Sequence, residues 1–249
     1  MKQKFYSAFW LKHLGVYYML VASFYFALNG ALAKVMAERM SSAEIVFFRN
    51  VVGIAIVLFS LRRVKNLGPG GKPWLLAFRG FIGSCGILAT FYNIAHIDLG
   101  TAFTFQKTAP IFTALFSAFF LGEKLSSRGW FAILLGFGGI LLVVRPHIGI
   151  SVTDAVGIFG GMCAGLAYTS VRELRKHYAT NLIVLVFVSS ATFLSATMMI
   201  TGWVLEGSEA KILGLFSGAD LARLAYFNPP SLFGWVLVPL LGVSGIYFL

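Results

Sequence analysis

Charge is scarce in this chain of 249 residues: Lys, Arg, Asp and Glu together make up 12%, where a water-soluble domain carries about 25%. Acids are scarcer still, nine against twenty basic residues, and none of them lies deep inside an apolar run. Such a chain cannot clothe a soluble surface. Cysteine is nearly missing as well. Cys85 and Cys163 sit in the middle of apolar stretches, which excludes a disulfide framework and marks them as reduced packing residues. Neither a Gly-x-Ser-x-Gly elbow nor a phosphate-binding loop occurs, and no His, Cys, Asp or Glu cluster has metal-ligand spacing. His13, His96, His147 and His177 fall at the ends of apolar runs or between them. No catalytic residue, cofactor or metal site is therefore expected, and an enzyme is disfavoured.

What fills the chain is apolar: 58% hydrophobic residues, 25 Phe and a mean hydropathy of +0.84. Runs long enough to cross a bilayer fall at roughly 14–36, 44–61, 74–96, 101–121, 129–145, 153–172, 181–204 and 232–249. The breaks carry turn and charge signals, as at Asn66-Leu67-Gly68-Pro69-Gly70-Gly71 and Asn228-Pro229-Pro230. The expected fold class is an all-α integral membrane protein of about eight transmembrane helices. Ala31-Leu32-Ala33 mimics a signal-peptide cleavage site, but its run is too long for one, so the first span is expected to stay attached. The connection 205–231 is read as a plain loop or as a short amphipathic helix lying on the membrane interface.

The net charge of +11 does not point to nucleic acid, because the basic residues form short patches between spans and no stripe on a soluble element. Twelve of the twenty, from Lys2, Lys4 and Lys12 to Arg172, Arg175 and Lys176, fall on one side of the spans. Four, Arg39, Arg145, Lys211 and Arg223, fall on the other. The positive-inside rule then places the N-terminus in the cytoplasm of a multi-pass inner-membrane protein. A shift of 140 residues lays the first two spans on the sixth and seventh, Ala27 on Ala167 and Phe47 on Phe187. Five spans in the repeated unit is an odd number, so a second copy enters the membrane inverted.

Phe48-Arg49 in the second span, Phe78-Arg79-Gly80 opening the third and Thr108-Ala109-Pro110 in the fourth belong together with Leu121-Gly122-Glu123-Lys124-Leu125 and the stretch from Gly136 to Arg145-Pro146. In this order they resemble the first EamA repeat of the drug/metabolite transporter superfamily. The resemblance implies two five-helix halves around a central substrate cavity. It divides this chain into a first EamA repeat, 14–147, and an incomplete inverted second repeat, 153–249, expected to stop at its third helix.

Four basic residues lie within spans: Lys34, Arg49, Arg79 and Lys107. A cation at the bilayer centre costs about 2.5–3.5 kcal/mol on insertion scales. Lys34 is shallow enough to reach the interface, and Arg79 is read either as a headgroup anchor or as a cavity residue. Arg49 and Lys107 are deeper and are expected to face water or a ligand. In the third span Arg79, Gly83, Gly86, Thr90 and Asn93 share one helical face. In the fourth, Gln106, Pro110, Thr113 and Ser117 do the same, with Pro110 removing a backbone hydrogen bond. Static helix packing and a static kink are the alternatives for these two stripes. Gly157, Gly161 and Gly165 in the sixth span are expected to make a close helix contact.

The expected function is a secondary transporter of a small polar metabolite, anionic or zwitterionic, working by alternating access. Arg49 and Lys107 would hold the anionic group, while Gln106 and Asn93 would hydrogen-bond the remainder. Asn29 and Tyr168 are further cavity candidates, and Pro110, Gly83 and Gly86 would permit rocking. Without a membrane-embedded acid, facilitated diffusion or exchange is favoured over proton symport. Expected partners are the small-molecule substrate and the lipid bilayer, with no nucleic acid; a homodimer is left open. An enzyme acting on a lipid-linked substrate and a transport-dead remnant are the rival readings.

Overall fold

In the computed structural model, residues 14–63, 67–122, 126–144, 151–205 and 232–248 are described. They form helices α1 (Leu14–Met36), α2 (Ser42–Leu61), α3 (Pro73–His96), α4 (Leu99–Gln106), α5 (Ala109–Leu121), α6 (Ser127–Val144), α7 (Val152–Leu174), α8 (Thr180–Leu205) and α9 (Leu232–Phe248). No strand occurs among the described residues. The eight expected spans are present, and the fourth is divided. Pro110 has no N–H to offer the Gln106 carbonyl, so the helix stops at Gln106 and restarts at Ala109. The kink expected there is a full break.

Local sequence sets the other ends. Ser41 and Glu44 form a reciprocal capping box on α2, and Ser151 with Asp154 forms the same device on α7. Asp98 caps α4 by accepting from the Thr101 N–H at 2.7 Å. Gly122 ends α5 in the left-handed conformation, φ +65°. The connection read as a loop or an interfacial helix is outside the described residues from 206 to 231, as are the N-terminal lysines, Glu123, Arg145, Pro146 and His147.

Four helical stretches, Gly15–Met36, Ser42–Leu61, Pro73–His96 and Thr180–Thr201, are each long and apolar enough to cross a membrane. The side chains left outside the bundle include Leu20 and Phe24 on α1, Phe119 on α5, Phe131 and Leu134 on α6 and Phe193 on α8. Exposure of large apolar groups all around a protein is stable when its solvent is lipid. This is a multi-pass membrane protein.

At the centre stands α3, packed along α7 and α8; α2 lies along α8, and α9 lies against α1 and α2. Ile45, Val46, Phe91 and Leu241 are buried where α2, α3 and α9 converge. Small residues let the backbones approach. A Cβ on Gly86 would sit 3.3 Å from the Ala164 nitrogen of α7, and one on Gly160 3.0 Å from the Ala89 methyl of α3. The stripe Gly157, Gly161 and Gly165 faces the broken span instead, against Phe105, Thr108 and Phe112 respectively.

Candidate functional site

Between α1, α2, α3, α4, α7 and α8 lies a cavity of about 80 Å³. Two guanidinium groups line it. Arg49 enters from α2 and Arg79 from α3, only 4% and 8% exposed. Glycine makes their room: a Cβ on Gly83 would strike the Arg79 guanidinium, and one on Gly245 of α9 the guanidinium of Arg49. An alanine at either place would take the space the cation occupies.

Each cation rests on an aromatic face. The Arg79 Cζ lies 4.7 Å from the Phe187 ring centroid, and the Arg49 Cζ 5.4 Å from that of Phe91. Such contacts attract a cation without using its N–H groups, which lie in the guanidinium plane. Those donors are poorly satisfied. Among the described residues, Nε and Nη1 of both arginines have no hydrogen-bond partner, and Arg49 Nη2 makes one long contact, 3.5 Å, to the Gly245 carbonyl. Neither guanidinium has a carboxylate within 4.0 Å among the described residues. Leaving buried donors and charge unmatched is expensive unless something in the cavity matches them.

Gln106, ending α4 at the break, lines the same space, and its Oε1 is also buried without a partner. Asn29 lines it from α1, although its amide nitrogen is taken up by α9: it donates to the Leu241 carbonyl at 3.0 Å and to Ser244 Oγ at 3.1 Å. Tyr168 reaches it from α7, and Gly83, Gly86 and Thr90 form its wall along α3. The structure thus brings together six of the nine residues the sequence singles out: Arg49, Gln106, Asn29, Tyr168, Gly83 and Gly86.

Three lie elsewhere. Lys107, expected beside Arg49, is exposed in the α4–α5 break with its ammonium 4.9 Å from the Phe26 ring centroid. Lys107 caps the end of α4 at the break and is not among the residues that line the cavity. Asn93 is 1% exposed but sits in the α3–α7 seam, where a Cβ on Gly157 would lie 2.7 Å from its Nδ2. Pro110 is exposed at the start of α5 and shapes the site only through the break. Arg79, for which headgroup anchoring stays open in the sequence, is the second cavity cation. Its place on the stripe with Gly83 and Gly86 is the signal that points inward. Nothing in the sequence singles out Phe187 from the other phenylalanines as its support.

Lys34 belongs to the opposite rim. Its Nζ donates to the Ile94 and Ile97 carbonyls at 2.8 and 2.7 Å, closing the last turn of α3. At the basic end, the loop before α3 is tied to the α7–α8 turn. Gly70 N donates to the His177 carbonyl at 3.0 Å and Ala179 N to the Leu67 carbonyl at 3.0 Å. Lys72 Nζ meets Glu173 Oε1 at 2.8 Å, and Lys176 Nζ meets Oε2 at 2.8 Å. Gly68 holds φ +97°, and a Cβ there would run into the His177 backbone.

Similarity to known proteins agrees with this architecture. A profile of the EamA-like transporter family matches residues 13–145. A pseudopaline exporter of Pseudomonas aeruginosa is 34% identical over 197 residues, 78% of this chain and 69% of the relative. An uncharacterized transporter of Helicobacter pylori is 33% identical over 242 residues, 94% of this chain and 76% of its own length. An S-adenosylmethionine uptake transporter of Rickettsia bellii is 25% identical over 135 residues, 54% of this chain and 46% of the relative.

Proposed function

Because the chain belongs to the EamA-like transporter family, we propose that it carries a small polar metabolite bearing an anionic group across the bacterial inner membrane. Arg49 and Arg79 supply the donors for anionic groups, while Gln106 and Tyr168 contact the rest of the molecule. The observation that carries this reading is the pair of buried guanidiniums with unpartnered N–H groups lining one cavity. Named relatives move S-adenosylmethionine or pseudopaline, which supports a small metabolite as cargo. The protein acts as a transporter and not as an enzyme, with its N-terminus in the cytoplasm.

Alternating access between two inverted units, 14–147 and 153–249, supplies the movement. The packing supports that division. Exchanging α1, α2 and α3 with α7, α8 and α9 carries the α3–α7 contact onto α9–α1 and the α3–α8 contact onto α9–α2. The α2–α8 contact maps onto itself. The break at Pro110 supplies a joint, and Gly83 and Gly86 let Arg79 and α7 lie close to the α3 backbone.

The test is counterflow in proteoliposomes with pools of labelled anionic, zwitterionic, neutral and cationic metabolites. Exchange of anionic or zwitterionic compounds above protein-free vesicles, lost in Arg49→Gln, is the expected result. Exchange of cationic compounds alone contradicts the reading.

A further inference from the structure

The two guanidiniums rest against different turns of α3. Arg79 lies against Gly83 and Arg49 against Phe91, both on α3. Eight residues of helix separate Gly83 from Phe91, a rise of about 12 Å. Between them the cavity wall is formed by Gly86, Ile87 and Thr90 of α3, and Gln106 of α4 also lines the space. The site is therefore elongated along α3 and charged at both ends.

A volume of about 80 Å³ spread over such a length is narrow. It suits an unbranched chain better than a ring. A ligand with one anionic group would satisfy one arginine and leave the other buried and unmatched, a costly arrangement. A compact doubly charged ion could not reach both ends. Only a molecule with anionic groups at its two ends answers both sets of free N–H donors at once.

Resting on the transporter reading above, we propose that the site takes a short-chain compound with two terminal anionic groups, of the class of C4 to C6 dicarboxylates, held lengthwise between Arg79 and Arg49. Its central chain lies along Ile87 and Thr90, and Gln106 contacts its middle. One end faces the half of the bundle that carries the basic loops, and the other faces the opposite half.

Thermal unfolding of the full chain in detergent, titrated with sodium glutarate, butyrate or sulfate at constant ionic strength, tests this directly. Glutarate is expected to half-saturate at least about tenfold below butyrate, the size of one charge-assisted pair, and below sulfate. Arg49→Gln and Arg79→Gln should each remove that advantage. Arg49→Lys and Arg79→Lys keep the charge and guard against misfolding, and should retain part of it. Butyrate or sulfate stabilising as well as glutarate overturns the two-ended ligand but leaves an anion carrier standing, as does survival of the glutarate advantage in both Gln variants. No stabilisation by any anion, glutarate included, overturns the two-ended ligand and the anion carrier together.

Discussion

Two sets of cations in this protein live under opposite rules. At the basic end, Lys72 and Lys176 share the Glu173 carboxylate at 2.8 Å each, and His177 Nε2 stands 3.6 Å from it. Hydrogen bonds from Lys176 and then Lys72 hold that carboxyl down at about 2. In the middle of the bundle, Arg49 and Arg79 are far more buried and have no carboxylate within 4.0 Å among the described residues. Water would screen the first set even without Glu173, whereas burial leaves the second far less screened. Where loops are tied together the protein provides the anion. On the transporter reading proposed above, the cavity lacks one so that a ligand can supply it.

Placing a carboxylate in the cavity should break the contrast most strongly. Gln106→Glu gives the guanidiniums an internal partner. It is expected to lower transport by roughly 100-fold or more, the scale of a buried charge pair, while raising thermal stability in detergent. Arg49→Gln and Arg79→Gln should lose transport to the same degree. Lys107→Gln, on an exposed cation outside the cavity, should stay within about threefold of wild type, as surface charges usually do. Parallel uptake and insertion assays measure all four.

Next in size is the contact that holds the broken span against α7. A Cβ on Gly165 would sit 2.6 Å from the Phe112 Cβ and 3.0 Å from the Thr113 nitrogen. Gly165→Leu is expected to destabilise the protein by about 1–3 kcal/mol, as overpacking does, seen as earlier unfolding in detergent. Pro110→Ala restores a donor for the Gln106 carbonyl and lets α4 and α5 join. Insertion should be unchanged while turnover falls several-fold, because the span loses its joint.

The smallest effect belongs to the basic end. A carboxylate held below its ordinary range contributes stability that is present above the usual carboxylate range and is lost as pH falls toward about 2. Glu173→Gln should therefore melt slightly below wild type at neutral pH, with the difference fading between about pH 4.5 and 2. A difference that grows on acidification would mean that Glu173 does not tie the two loops.

The helices were readable from hydropathy because a bilayer imposes their length and composition: α1 begins and ends at the expected residues, and α8 differs by a residue at each end. The cavity was readable only in part. Arg49, Gln106 and the Gly83–Gly86 face could be found because burying a cation or leaving out a Cβ is costly without a reason. Lys107 misled because its depth was counted along a continuous helix, and the missing N–H of Pro110 removes that continuity. Asn93 shares the stripe of Arg79 but lies on the part of it that α7 covers. Which face of a helix meets a cavity and which meets a neighbour depends on partners distant in sequence, such as Gly157 and Phe187, that periodicity does not reveal.

The central claim, that the buried arginines border a wet and anion-attracting space, is open to one direct measurement. Thr90→Cys, in a background with Cys85 and Cys163 replaced, is reacted with sulfonatoethyl and with trimethylammonioethyl methanethiosulfonate, each rate divided by that of an exposed control cysteine. The account predicts modification, with the anionic reagent favoured over the cationic one, and loss of that preference in Arg79→Gln. A thiol that neither reagent reaches, or one that the cation reaches faster, would contradict it.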